Sequence, residues 1–135
     1  MRTLSNEIIG FINMFEKVTH AEVKDCFLDE NVIVFVVQPG MVGKAVGKEG
    51  SNIRKVSAMF KKQVRILAFD PDPVRFVANL LYPVKPEEIR QEDNLIVIKA
   101  SNAMEKGKIY GREKTNFKKL QEILSKYFPF ELKLE

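Results

Sequence analysis

The chain has one cysteine, Cys26, and one histidine, His20, in 135 residues. A single cysteine excludes an internal disulfide and leaves a cysteine-based zinc site unsupported; in a strand it reads as a small buried apolar residue. The lone histidine falls at an expected helix end and reads as a surface or capping residue. No apolar run approaches the roughly 18 residues that a membrane-spanning helix needs. The opening stretch Met1-Arg2-Thr3-Leu4-Ser5-Asn6-Glu7 has no signal-peptide core and soon turns amphipathic. A soluble, cytoplasmic protein without a membrane partner is expected. Nucleotide-cofactor loops are missing too. Gly43 to Gly47 leaves three residues where a Walker loop needs four, and Glu49 follows Lys48 where a hydroxyl belongs. Glycines at 43, 47 and 50 do not make the dinucleotide fingerprint either.

What is present is positive charge, in two places. Residues 41–65 hold Lys44, Lys48, Arg54, Lys55, Lys61, Lys62 and Arg65 against Glu49, a net +6. Residues 99–119 hold Lys99, Lys106, Lys108, Arg112, Lys114, Lys118 and Lys119 against Glu105 and Glu113, a net +5. The whole chain carries only +4, so everything else sums to −7. Basic charge gathered on an otherwise acidic chain is the footprint of a polyanion binder, with two solvated basic helices as the plainer reading.

The basic windows also resemble each other. Sliding by 64 positions sets "AVGKEGSNIRKVSAMF" (45–60) on "IYGREKTNFKKLQEIL" (109–124), matching Gly47 to Gly111, Glu49 to Glu113, Ser51 to Thr115 and Asn52 to Asn116. Upstream, "NVIVFVV" (31–37) meets "NLIVIKA" (94–100). A repeat of this length in so short a chain means duplication of a small domain, with copies expected over 1–69 and 70–135.

Each copy reads as helix, strand, strand, short helix, loop, helix, strand. Ile8, Ile9, Phe11, Ile12, Phe15 and Val18 recur with helical spacing over about 5–18, which makes the two phenylalanines core rather than a stacking platform. "AEVKDCFLDE" and "NVIVFVV" are strand-like around a tight turn at Asp29-Glu30-Asn31. A short helix is expected over 41–46. After the loop at Gly47, Ile53, Val56, Met59 and Phe60 share a helix face, and "QVRILAF" closes the copy. In the second copy Asp72 caps a helix with Pro73 at its first position, and Val74, Val77, Ala78 and Leu81 line one face. Strands are expected near 84–91 and 94–100, then a helix with Phe117, Leu120, Ile123, Leu124 and Tyr127 inward, then "FELKLE". Prolines and no Gly/Ser-rich linker at 69–73 predict a fixed joint. Asp70, Glu87 and Glu88 form no catalytic constellation, and no cofactor or metal is called for.

Gly47-Lys48-Glu49-Gly50 is a G-x-x-G between two helices, with apolar Val46 before it and Ile53 after it. Two glycines permit a sharp turn and close approach of main chain, and the following helix aims its N-terminal amides at the same place. "AVGKEGSNIRKV" is similar to the signature loop of KH domains. "AFDPDPVRFVANLLYPVK" resembles the segment joining the two KH domains of NusA-type transcription factors. The whole chain thus resembles a tandem pair of type II, α-β-β-α-α-β, KH domains: an α+β fold, rigidly joined, in the compact archaeal form. The resemblance implies a non-enzymatic factor of transcription elongation or termination, a monomer whose partners are single-stranded RNA and RNA polymerase. It implies backbone contacts at Gly47, Lys48, Glu49 and Gly50, flanking cations at Lys44, Arg54 and Lys55, and an apolar floor of Val46 and Ile53, which core packing would explain equally well. In the second copy Gly111, Arg112, Glu113 and Lys114 take the loop role, with Lys108 and Lys118 beside them. Lys114 stands where the second glycine belongs. A lysine there avoids positive φ only if the turn relaxes, and its Cβ hinders close approach, so weaker or differently routed binding is expected. Two other readings share the sequence: a ribosome-associated or RNA-processing KH protein, and a protein-interaction scaffold with degenerate loops.

Overall fold

The computed structural model describes residues 6–29 and 31–135. Ser5 and Glu30, which the sequence places in the first helix and the first turn, lie outside the described residues. The chain divides into two compact units, Met1–Asp70 and Pro71–Glu135. The first runs α1 (Asn6–Thr19), β1 (Val23–Asp29), β2 (Val32–Val37), α2 (Val42–Val46), a 3₁₀ turn (Lys48–Gly50), α3 (Ser51–Phe60) and β3 (Gln63–Ala68). The second repeats the order with α4 (Pro73–Leu81), β4 (Glu88–Glu92), β5 (Leu95–Lys99), α5 (Ala103–Tyr110), a 3₁₀ turn (Arg112–Lys114), α6 (Thr115–Ser125) and β6 (Glu131–Leu134).

Each unit builds a three-stranded sheet, ordered β1-β2-β3 or β4-β5-β6, with one antiparallel pair and one parallel pair. The antiparallel pair is a hairpin; the parallel pair needs a crossover, which the two helices and their loop supply. β2 is central and buried along Ile33–Val37, which is why it reads as an unbroken apolar run. Phe15 of α1 stacks on Phe35 of β2 with ring centroids 3.9 Å apart, both fully buried, and Ala45 of α2 and Val56 of α3 complete that cluster with Cys26. Phe11 meets Phe60 edge-on at 4.9 Å. In the second unit Phe76 of α4 meets Tyr127 and Phe128 at 5.8 and 5.9 Å. α1 stops at His20, which takes φ 59° while its N–H donates to the Glu16 carbonyl at 2.8 Å.

Three local expectations shift. The inward face of α4 is Phe76, Val77, Leu80 and Leu81, whereas Ala78 is exposed and Val74 only half-buried, because the larger Phe76 sets the helix's rotation. Met59 of α3 is 45% exposed, leaving Val56 and Phe60 to make the contact. β4 begins at Glu88 rather than near 84, since Pro83 and Pro86 cannot donate to a ladder. Asp72 caps α4 as expected, its carboxylate accepting from the Val74 N–H at 2.9 Å with Pro73 at the first turn.

Arg90 on β4 is the hub of the second sheet's exposed face. Its guanidinium donates to Glu92 at 2.7 Å, to Glu88 at 2.8 Å and, past β5, to both carboxylate oxygens of Glu135 at 3.0 and 3.2 Å. The Arg90 hydrogen bonds, with added attraction from Lys133 and Lys99, hold the Glu135 carboxyl below its ordinary value. A carboxylate depressed in the folded state contributes stability above its unfolded pKa and loses it as pH falls through the folded one. Glu135 should therefore titrate below the usual glutamate range by NMR and return to that range in Arg90→Gln, with the folded state losing this contribution only under acid conditions. An unchanged Glu135 titration in the variant would mean the clamp is not formed in solution.

Candidate nucleic-acid interface

In each unit the loop between the two crossover helices is one backbone turn, drawn twice. Gly47 takes φ 79°, ψ 169°; Glu49 takes φ 55°, ψ 30°; Gly50 takes φ 75°, ψ 16°. The counterparts are Gly111 at φ 71°, ψ 177°, Glu113 at φ 54°, ψ 30°, and Lys114 at φ 61°, ψ 19°. The turn does not relax to suit the lysine. Lys114 enters the left-handed region, a conformation costing an L-residue about 1–2 kcal/mol. Its ammonium sits 5.3 Å from the centre of the Tyr110 ring, a cation–π contact that offsets part of the cost.

The first glycine is required by a neighbour as well as by its angles. A Cβ on Gly47 would lie 2.8 Å from the Asn52 side chain and 2.9 Å from its amide nitrogen; one on Gly111 would lie 2.7 Å from Asn116 Cβ. These asparagines are there to tie the helices together. Asn52 Nδ2 donates to the Lys44 carbonyl at 3.0 Å, and Asn116 Nδ2 to the Ile109 carbonyl at 3.0 Å. Residue-by-residue reading assigned neither a role; their match in the repeat was the available signal. Arg54 adds a second tie in the first unit, donating to the Glu49 carbonyl across the loop. A Cβ on Gly50 would meet the end of the Arg54 side chain at 3.1 Å and Ile53 Cγ2 at an ordinary 3.6 Å. No side chain caps α3 or α6, and neither has an acid in its first turn; the first amide of each, Ser51 or Thr115, donates within the 3₁₀ turn to the Lys48 or Arg112 carbonyl.

The side chains named from sequence fall in two groups. Lys44, Lys48, Glu49, Arg54 and Lys55 are exposed, as are Lys108, Arg112, Glu113, Lys114 and Lys118. Val46 and Ile53 are half-buried, as are Gly47, Gly50 and Gly111. Beside the first loop, α3 and the edge strand β3 enclose an open groove of about 880 Å³. Ile53 and Arg54 line it; Lys44, Val46 and Lys55 do not. Its other lining residues include Ser57, Ala58, Lys61, Lys62, Val64 and Arg65. Lys61, Lys62 and Arg65 belong to the basic window at 41–65 but not to the site the sequence indicates. Among the described residues no carboxylate lines the groove, and its apolar walls carry four cations.

The sequence model of the KH domain matches residues 12–71. A protein of Halobacterium salinarum called "Probable transcription termination protein NusA" is 32% identical over 127 residues, 93% of this chain and 91% of that one. The chain belongs to the NusA-like KH family. A namesake from Methanocaldococcus jannaschii is 27% identical over 92% of this chain and 69% of its own length. One from Thermoplasma acidophilum is 26% identical over 93% and 90%. The crystal structure of APE1850 matches with a TM-score of 0.71 and 28% identity, covering 98% of this chain and 100% of that one. A NusA-like KH protein is an RNA-binding factor, in keeping with the basic groove. Among the described residues no cluster of three His, Cys, Asp or Glu could hold a metal ion, and no helix is long and apolar enough to cross a membrane.

The matched turns predict reciprocal effects of exchanging their third left-handed residue. Lys114→Gly should stabilise the chain by at most about 1 kcal/mol, relief of left-handed strain outweighing the entropy of an added glycine and the lost contact with Tyr110. Gly50→Lys should destabilise it by a similar amount. Denaturant midpoints measure both; two null results would show that this position is not left-handed in solution.

Proposed function

We propose that the chain is a transcription elongation or termination factor that holds nascent single-stranded RNA through its G-x-x-G loops. The observation that carries this reading is the groove between α3 and β3, apolar-walled, cationic and opening beside a loop whose helix end has no side-chain cap. Single-stranded RNA presents unstacked bases and a phosphate chain together, and such a groove suits both. Gly47, Lys48, Glu49 and Gly50 take the sugar–phosphate chain, with Lys44, Arg54 and Lys55 as flanking cations. Ile53 and Ala58 lie under the bases, and Lys61, Lys62 and Arg65 continue the charge along the groove. In the second unit Gly111, Arg112, Glu113 and Lys114, with Lys108 and Lys118, form the matching grip. The names of the similar archaeal proteins support transcription termination as the setting; RNA polymerase is the partner in this reading, and the division into two compact units supports 1–69 and 70–135 as its two KH domains.

Each neutralised phosphate on a single strand contributes about −0.7 to the slope of log affinity against log salt, so about four contacts give a slope near −3. Filter binding across a salt series should show it. Replacing Lys48 and Glu49 together by aspartate, at exposed positions, should weaken binding about tenfold or more and flatten the slope, because Lys48→Asp turns a cation into a carboxylate beside the one position 49 already holds. A double variant that binds single-stranded RNA as tightly as the parent would remove the loop from the site. Copurification with ribosomal subunits instead of RNA polymerase would move the same chemistry to another assembly.

A further inference from the structure

The helix after each loop faces the open edge of its own sheet, and the two copies fill that gap differently. Sliding by 64 positions sets Ser57 of α3 against Gln121 of α6. The strand registers, Val32 with Gln63 and Leu95 with Glu131, set Lys62 and Val64 against Phe130 and Leu132. Ser57 Oγ donates to the Lys62 carbonyl at 2.6 Å and reaches no further. Gln121 is longer and takes two groups. Its Nε2 donates to the equivalent carbonyl, Phe130, at 3.1 Å, and to Ser125 Oγ at 2.9 Å. Its Oε1 accepts from the Leu132 N–H at 2.6 Å. Both amide protons and the carbonyl oxygen are thus engaged.

An edge strand offers unpaired carbonyl and N–H groups to whatever lies beside it. A nucleobase edge with a donor next to an acceptor would use such a pair, and the primary amide of glutamine presents the same two functions. We propose that Gln121 stands in for a base in the second unit, holding the edge groups of β6 that a base would need. Bases are then read in the first unit, while the second supplies its loop and exposed cations to the sugar–phosphate chain. This rests on reading the α3–β3 groove as an RNA site.

Exchange of the two side chains tests it. With the first loop disabled by Lys48→Asp and Glu49→Asp, adding Gln121→Ser should raise affinity for a mixed-sequence single-stranded RNA oligonucleotide about tenfold, the scale of one accommodated base. Ser57→Gln in the otherwise unaltered chain should lower it by a similar factor. Amide hydrogen exchange supplies a readout without RNA: the Leu132 N–H should be protected in the parent and exposed in Gln121→Ser. If Leu132 is unprotected in the parent, Gln121 does not occupy the edge and the proposal is overturned. If Gln121→Ser frees Leu132 without raising RNA affinity, glutamine merely braces the strand, and the proposal is overturned with the function reading intact. If Gln121→Ser fails to fold, Ser57→Gln decides alone, unchanged affinity overturning the proposal. A parent chain that binds no RNA overturns the function reading and this proposal together.

Discussion

A primary amide bridging two helices underlies both candidate sites. Asn52 and Asn116 each stand in the first turn of the second crossover helix and donate back to a carbonyl near the end of the first, at 3.0 Å in both units. A hydrogen bond of this kind contributes only about 0.5–1.5 kcal/mol, but its geometry fixes more than its energy suggests. It draws the two helices so close that the residue opening the loop has no room for a Cβ. That residue must be glycine, its positive φ reverses the chain, and the next residues are forced out into solvent. Exposed main chain at a helix end without a side-chain cap follows from the bridge. The basic side chains decorate a site whose shape the asparagine has set.

The same dependence explains how much was legible in the sequence. Periodicity found α1, α3 and α6, because each has an apolar stripe against a sheet, and the run at 31–37 announced a strand buried along its length. Asp72-Pro73 is a local signal, and the cap it forms is local too. The face of α4 was misjudged because the sequence allows neighbouring stripes, and only the position of Phe76 in the core chooses between them. β4 starts at Glu88, later than expected, because Pro86 within the expected strand cannot donate to its ladder. Lys114 was expected to loosen its turn on intrinsic preference alone; a fixed pair of helices and a nearby tyrosine outweigh that preference. Ser57 and Gln121 were silent, since their meaning lies in a strand edge that exists only once the crossover has closed.

The differences between the units fall on opposite sides of one distinction. The backbone path of the loop is common to both, although the second unit carries a strained lysine to keep it. The strain is about 1–2 kcal/mol, small beside the packing that positions the helices. The groove is a matter of side chains, and there the units part: serine leaves the edge of β3 open to the apolar and cationic groove, and glutamine closes the edge of β6. Arg112, Lys114 and Lys118 remain exposed beside the second loop. Their attraction for phosphate acts over a Debye length of about 10 Å and needs no open groove. Base contact requires a fitted cavity, and an open edge, whereas charge contact requires only proximity, so closing one edge separates the two functions without abolishing either. In the proposed reading the first unit takes both bases and sugar–phosphate chain, and the second takes the sugar–phosphate chain alone.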